Sequence, residues 1–457
     1  MSSESAQKTT VRSDDSIDPA FDWLKIARLM LISRAVDRIE ETELVPQKKV
    51  LYQFSARGHD LAQILLGSLL NHPHDATSGY YRSRPSLLAI GLSIEDAFAG
   101  PLARSGGFSD GRDIGVVFNL PTDGGATVLP MCGGVGAQYT PVAGWAQAIL
   151  YHADELGDDS YKGAIGTALG GDASVATNGF WSALTMATTL KLPMLFYIED
   201  NGYGISTPST LQTPGANIAH NLKSFENLQV LDGDGTEPAE AAGLMRQAVD
   251  HVRSGVGPAL LRLSVPRLEG HSAQDTQGYK SAAIIAEEES RDPLPKLRDY
   301  LIPALINEDA WKKLEQEVEQ EVADALEAAL ARTQPDPEQI GRHVFCEAGP
   351  EIQQQGGLAV SGHVFPESGE QPEPEPTRIN MLTAIRRTLE YELATNPKVT
   401  VFGQDVGPKG GVHAATMGLQ EKFGSNRVFD TSLSEEGIIG RAVGMAVAGL
   451  MPVPEIQ

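Results

Sequence analysis

The segment GAIGTALGGDASVATNGFWSALTMATTLKLPMLFYIEDNGYGIST, residues 163–207, constrains this chain more than any other. It holds a short apolar run, a helical pattern in FWSALTMATTLKL closed by Pro193, and a second apolar run, MLFYIED. Spacing this compact predicts a right-handed parallel strand–helix–strand unit. Both strands of such a unit end on one edge of the sheet, the edge where open α/β folds bind ligands. Asp172 follows the first run and Asn201 closes the second, so the two are expected to face each other there. Gly170, Gly171, Gly202 and Gly204 let the backbone come close to a bound group. One carboxylate, one amide oxygen and a nearby free carbonyl form a hard-oxygen set suited to Mg²⁺ carrying a phosphate. The competing reading makes Asp172 and Asn201 ordinary turn residues.

The rest of the chain narrows the class. Its 457 residues suffice for several domains, and its net charge of −24 argues against nucleic acid or an anionic membrane as partner. Two cysteines, Cys132 and Cys346, are too few for a disulfide scaffold, which suits a reducing, cytoplasmic setting. No run of about eighteen apolar residues is present to span a membrane. The opening MSSESAQKTTVRSDDSIDPAF lacks an apolar core and carries acidic residues, unlike a signal or transit peptide.

Residues 1–18 read as a disordered tail, and residues 19–345 as a first domain in which helices and apolar runs alternate from FDWLKIARLMLISRAVDRI onward. WKKLEQEVEQEVADALEAALA, 311–331, is an amphipathic helix whose charges read as its solvated face. Residues 346–377, rich in Pro, Gly, Gln and Glu, read as a linker. Residues 378–457 start a second module with a helix in RINMLTAIRRTLEYELATNP, a strand in KVTVFGQDVG and a helix in GIIGRAVGMAVAGL. Ending at PVPEIQ, this module is expected to be incomplete, with labile packing beside a more protected core at 20–333.

GGDA followed by EDNGYGIST resembles the thiamine-diphosphate motif in the α subunit of the 2-oxo-acid dehydrogenases. VFGQDVG, GGVHAAT, DTSLSEEGIIG and AVGMAVAGLMPVPEIQ resemble the N-terminal part of their β subunit. Together the resemblances cover residues 20–310 and 378–457. They imply an α/β chain with the thiamine-diphosphate-binding fold, a parallel sheet flanked by helices, and a second, incomplete α/β module. They further imply an α subunit fused to a truncated β subunit, assembling as a homodimer of α2β2-like form. The implied cofactors are thiamine diphosphate and Mg²⁺; the implied partners are a 2-oxo acid substrate and a lipoyl-bearing acyltransferase. NGYGISTP looks more like branched-chain members, which puts 3-methyl-2-oxobutanoate first and pyruvate second.

The same resemblance assigns roles. Asp172, Asn201 and the Tyr203 carbonyl would hold Mg²⁺, with Gly171 and Ala173 beside the diphosphate. Tyr81 and Arg82 of GYYRSRP would contact that diphosphate, as arginine forks suit phosphate oxygens. Gly136 and Gln138 of CGGVGAQYTP would grip the aminopyrimidine through main-chain groups. Glu435 would protonate the aminopyrimidine, although Ser432-x-x-Glu435 before an apolar run also reads as a helix capping box. His271 of RLEGHSAQD would be the acid/base facing substrate and lipoyl, against the alternative of an exposed loop histidine. His59 of SARGHDLA fits either the substrate side or helix packing. Three departures stand out: Ala173 for a usual glycine, Ser182 for a glutamate, and Gln404 for an acidic residue. LDGDGTEPAEA, 231–241, starts like a calcium loop, but Glu237 takes the glycine position, so a turn and a Thr236 helix cap are expected.

Overall fold

The computed structural model describes residues 17–112, 120, 125–342 and 377–457. The expected tail and linker therefore lie almost wholly outside the described residues, as does Cys346. Ile17 and Asp18 already touch the fold: Ile17 packs on the core, and the Asp18 carbonyl accepts the Trp23 indole N–H at 2.8 Å.

The first domain runs through α1 (Trp23–Ile39), α2 (Asp60–Leu69), β1 (Ala76–Ser78), α3 (Arg84–Ile90), α4 (Ile94–Ala99), β2 (Thr127–Val128) and α5 (Tyr139–Leu150). Then come β3 (Gly166–Gly171), α6 (Asn178–Leu190) and β4 (Met194–Asp200), the expected parallel unit. A small hairpin, β5 (Tyr203–Gly204) and β6 (Thr207–Pro208), precedes α7 (Ile218–Asn221), β7 (Gln229–Asp234), α8 (Pro238–Arg253) and β8 (Ala259–Ser264). Helices α9 (Ala282–Ser290), α10 (Pro293–Leu301) and α11 (Glu308–Ala331) follow. The second module contributes α12 (Met381–Thr395), β9 (Val399–Gly403), α13 (Leu419–Phe423), β10 (Val428–Asp430), α14 (Glu435–Val447) and β11 (Met451–Glu455).

The main sheet has the order β2-β1-β3-β4-β8-β7, with every neighbouring pair parallel. β9 lies between β10 and β11 in a second parallel sheet. The fold is thus α/β with parallel sheets flanked by helices. Every residue of β4 is buried, as a central strand covered on both faces requires. Leu195 and Tyr197 enter the core shared with α1, α2, α8 and α11, whereas Met194, Phe196 and Ile198 enter the core shared with α5, α6 and α14.

Helix ends refine the reading in four places. Helix α6 stops at Leu190 because Lys191 turns left-handed, at φ +53°, before Pro193 is reached. Helix α11 starts three residues earlier than expected, at Glu308, where the Asn307 side chain caps it. Its charges do more than meet water: Glu321 and Glu319 pair with Arg28 and Arg38 of α1. Thr236 is not a cap; its hydroxyl donates to Asp234 at 2.8 Å, and α8 begins at Pro238, whose fixed φ suits the first helical turn. Ser432 caps nothing either. Ser434 is the N-cap of α14 and accepts from the Gly437 N–H at 3.2 Å, which puts Glu435 in the first turn and dissolves the expected capping box.

The second module docks through a helix crossing with almost no side-chain layer. A Cβ on Gly144 of α5 would stand 2.1 Å from the Arg441 carbonyl oxygen, and one on Gly444 of α14 would stand 1.9 Å from that of Pro141. Ser434 also bonds Ser182 of α6 at 2.6 Å, and His152 contacts the Ala448 carbonyl at 3.0 Å. Arg441 is buried beside the stacked rings of Phe402 and Phe429, each ring centroid 5.7 Å from its guanidinium, and its Nε meets Met186. Burial alone lowers its pKa to about 10.

Overpacking a closed contact costs about 1–3 kcal/mol. Gly444→Leu is therefore expected to loosen residues 378–457 while leaving the first domain folded. Limited proteolysis read by mass spectrometry should show that segment cut earlier than in the unaltered chain; an unchanged pattern would mean that the crossing does not hold the module.

Candidate active site

The edge where β3 and β4 end opens on a cavity of about 480 Å³. Gly171 lies opposite Glu199 in the β3–β4 register, so the residues that follow, Asp172 and Asp200–Asn201, meet at its floor. Tyr81, Arg82, Gln138, Gly171, Asp172, Ala173, Asn201, Tyr203 and His271 all line it. The structure thus gathers nine of the expected residues in one place. Gly136 stands just behind, at φ +86° against Thr177, with its neighbour Val135 in the wall.

Asp172 is 4 % exposed, and its Oδ2 has no hydrogen-bond partner. Burial, with the Asp200 charge nearby, pushes its carboxyl up to about 7. Asp200 itself is taken up by Arg262, Nε to Oδ2 at 2.7 Å. Asn201 is oriented from both sides. Its Oδ1 accepts the Tyr203 N–H at 3.1 Å, and its Nδ2 lies 3.1 Å from His59 Nε2. His59 is completely buried, and burial followed by the Arg82 and Arg267 charges keeps it well below its usual pKa. A neutral ring acceptor there fixes which end of the amide faces Tyr203. His59 therefore serves Asn201 and is not part of the cavity lining. Gly202, at φ +80°, makes the turn that brings the Tyr203 backbone round.

Two buried arginines, Arg82 and Arg267, line the same cavity as Asp172. Arg82 donates to the carbonyls of Ser55 and His271, the latter at 3.2 Å. Arg267 donates to the Ile205 carbonyl at 2.9 Å and to the Tyr279 hydroxyl, and its Nε has no partner. Neither has a carboxylate ion-pair partner among the described residues. Sequence reasoning missed Arg267; the signal was present in RLEGHSAQD, an arginine shortly past a strand that ends on the same edge.

His271 is half-buried. Its ring stands edge-on to Phe54, centroids 5.4 Å apart, and to Tyr81 at 5.5 Å. Burial, then the Arg82 and Arg267 charges, lower its pKa to about 4. The Asp275 carboxylate holds this loop through the His271 N–H at 2.6 Å. Gln138, which lines the cavity, uses its side chain to hold the Leu169 carbonyl at 2.9 Å. Glu435 does not line the cavity: it is exposed in the first turn of α14, 3.4 Å from the Gln404 amide nitrogen. The carboxylate of Glu436 instead lies close to Gly179 at the start of α6.

An unshared buried carboxylate oxygen, an oriented amide oxygen and two uncompensated guanidinium groups fit a divalent cation carrying a diphosphate. Among the described residues no group of three or more His, Cys, Asp or Glu gathers, so a cation here would rely on Asp172 with amide and carbonyl oxygens. Nor is any helix among them long and apolar enough to cross a membrane.

A cavity at the carboxyl edge of a parallel α/β sheet is where open α/β folds bind their ligands. The family model described as dehydrogenase E1 component matches residues 27–338, and that of the transketolase pyrimidine binding domain matches residues 377–457. The chain belongs to the dehydrogenase E1 component family, and its class is that of the 2-oxo acid dehydrogenase E1 enzymes. It is 30 % identical over 294 residues to the pyruvate dehydrogenase E1 component subunit alpha of Zymomonas mobilis, covering 63 % of this chain and 78 % of that one. Its second module is 48 % identical over 87 residues to the pyruvate dehydrogenase E1 component subunit beta of Leifsonia xyli, covering 19 % and 26 % of the two chains. It is 53 % identical over 81 residues to the 2-oxoisovalerate dehydrogenase subunit beta of Pseudomonas aeruginosa, covering 18 % and 23 %. The two matched domains imply thiamine diphosphate as cofactor.

The depressed pKa of His271 has a definite sign. Between pH 6.5 and about 4 an unfolded chain takes up a proton that the native ring refuses. The contribution of His271 to stability is therefore present above 6.5 and lost as pH falls toward 4. Imidazole NMR of the cofactor-free protein should place its midpoint near 4; a midpoint near 6.5 would show a ring in open solvent.

Proposed function

We propose that this chain decarboxylates a branched-chain 2-oxo acid, with 3-methyl-2-oxobutanoate first, and passes the acyl group to a lipoyl group on a partner acyltransferase. The observation that carries the reaction class to these residues is the buried Asp172 carboxylate with its unshared oxygen, in one cavity with Arg82 and Arg267. When bound, thiamine diphosphate supplies a nucleophilic carbon and an electron sink for decarboxylation. Asp172, Asn201 and the Tyr203 carbonyl would hold Mg²⁺, and Tyr81, Arg82 and Arg267 would meet the diphosphate beside Gly171 and Ala173. The main chain at Gly136 and Gln138 would seat the aminopyrimidine, and Glu435 would provide its proton. Because Glu435 is exposed in this chain, we assign that step to an assembled dimer of the fused, α2β2-like protein. His271 is neutral at pH 7, so it would meet the substrate as an uncharged hydrogen-bonding group rather than carry charge there.

Support for a branched-chain substrate comes from the apolar part of the wall, formed by Phe54, Tyr81, Val135 and Ile205, and from the NGYGISTP sequence. Pyruvate is the second reading, favoured by the names of the α-type relatives, and the β-type relatives carry both names. A cofactor-binding chain without turnover is the reading from a different class. Domain limits of 19–345 and 378–457, joined by a linker at 346–377, belong to the same proposal.

Asp172→Ala is expected to abolish Mg²⁺-dependent thiamine-diphosphate binding in calorimetry, since the ion would lose its only charged protein ligand, while Asn201→Ala should weaken it less. Wild-type affinity in the Asp172 variant would remove Asp172 from the metal site.

For the assembled enzyme, kcat/KM should favour 3-methyl-2-oxobutanoate over pyruvate by about 10-fold or more, since each methylene in an apolar pocket is worth about 1–3 kcal/mol. A preference for pyruvate would move the assignment to the second reading. Glu435→Gln should keep the cofactor bound and lower turnover by about 100-fold or more, the scale of a lost general acid. Normal turnover would leave Glu435 a first-turn helix residue only.

A further inference from the structure

None of the roles above uses Glu199, a completely buried carboxyl on β4. Its Oε2 accepts the Tyr80 hydroxyl at 2.6 Å and the Gln63 side-chain amide at 3.0 Å. The same Gln63 nitrogen donates to the Arg82 carbonyl at 3.2 Å. One carboxyl is therefore bonded to the residue before Tyr81 directly and to the residue after it through a single amide. The Tyr80 N–H closes the segment on Ser83 Oγ at 3.0 Å. Arg82 in turn holds the Ser55 and His271 carbonyls. A continuous path of hydrogen bonds thus leads from the end of β4, where Asn201 stands, to the segment that carries Tyr81 and Arg82 and on to the His271 loop.

Filling a buried space with a carboxyl is costly, and apolar side chains fill it more cheaply. One oriented acceptor oxygen, Oε2, is what Glu199 adds over such a filler. We propose that Glu199 is a positioning residue that, through Tyr80 and Gln63, sets the Tyr81–Arg82 pair at the spacing from Asp172 and Asn201 that a metal-bound diphosphate bridges. This rests on the thiamine-diphosphate reading of the cavity. Glu199 touches no substrate or cofactor in this account; it acts through its neighbours. Tyr80 has the same standing, although its ring also reaches the cavity wall.

Calorimetry of the full chain with thiamine diphosphate and Mg²⁺ tests this, at a temperature where circular dichroism shows every variant folded. Glu199→Ala should weaken cofactor affinity by about tenfold or more, equivalent to about 1.4 kcal/mol. Glu199→Gln keeps an acceptor oxygen in place and should restore affinity to within a few-fold of wild type. Tyr80→Phe removes one bond from the path and should fall between the two. A purely structural role would lower the unfolding temperature of the cofactor-free chain but leave affinity unchanged in the folded variants. Wild-type affinity in both Glu199→Ala and Tyr80→Phe would overturn the proposal, as would equal losses in Glu199→Ala and Glu199→Gln. If Glu199→Ala does not fold, Tyr80→Phe decides alone. Should the wild-type chain take up no thiamine diphosphate, the cofactor reading falls and the Glu199 role with it, an outcome distinct from unchanged affinity in the variants.

Discussion

A buried carboxylate with an oxygen that nothing satisfies is the constraint around which the site is arranged. Leaving a charge uncompensated in the interior costs several kcal/mol, so folds neutralise such groups locally where they can. Here the neighbouring Asp200 is neutralised, by an arginine that also reaches Asp232. Asp172 is not. The two buried arginines that line the cavity are spent on backbone carbonyls and a tyrosine hydroxyl, and neither makes an ion pair with a carboxylate among the described residues. Separated charges of opposite sign, held apart by rigid hydrogen bonds, are what a bound cation and its anionic ligand complete together.

Local pattern made the central unit legible. Two apolar runs flanking a helical period force strand, crossover and strand, and parallel pairing then puts Asp172 and Asn201 on one edge without further information. The apparent caps failed for a related reason. A Ser-x-x-Glu spacing marks a helix start only if the serine is the residue that leaves helical geometry, and in α14 that residue is Ser434, two positions after the one the pattern selects. At α8 the competing requirement was tertiary, because Thr236 is drawn to Asp234 and Lys296. The sequence left His59 open between the substrate side and helix packing and gave no place to Glu199 or to the Arg267 contacts, because these depend on packing between distant segments: α2 and the 80–83 turn against β4, and the loop after β8 against the hairpin.

Docking of the second module shows how a site of this kind becomes dependent on a second sheet. Glycines at the α5–α14 crossing bring backbones into contact, and that contact has little tolerance for sliding because no flexible side chains lie between. The same helix α5 begins at Tyr139, directly after the Gln138 that faces the cavity and holds the end of β3. Any displacement of α14 would therefore press on the element that shapes the Gln138 side of the cavity. Arg441 strengthens the registration: a buried cation beside two stacked aromatic rings, without a carboxylate partner among the described residues, is favourable only while both rings stay in place.

Ala173 shows how a local departure is accommodated. A methyl group where the resemblance leads one to expect glycine needs room beside the β5 hairpin. The room comes from the β5 hairpin, since a Cβ on Gly204 would stand only 2.6 Å from the Ala173 methyl carbon and 2.7 Å from the Gln212 amide. Two carbon atoms cannot share that space. The small residue that the turn lacks at 173 is thus present at 204, on the strand that carries Tyr203. Because Tyr203 is the residue whose carbonyl we place on the metal, the methyl and the hairpin must fit each other before that carbonyl can face the cavity, and the absent side chain of Gly204 is what lets them.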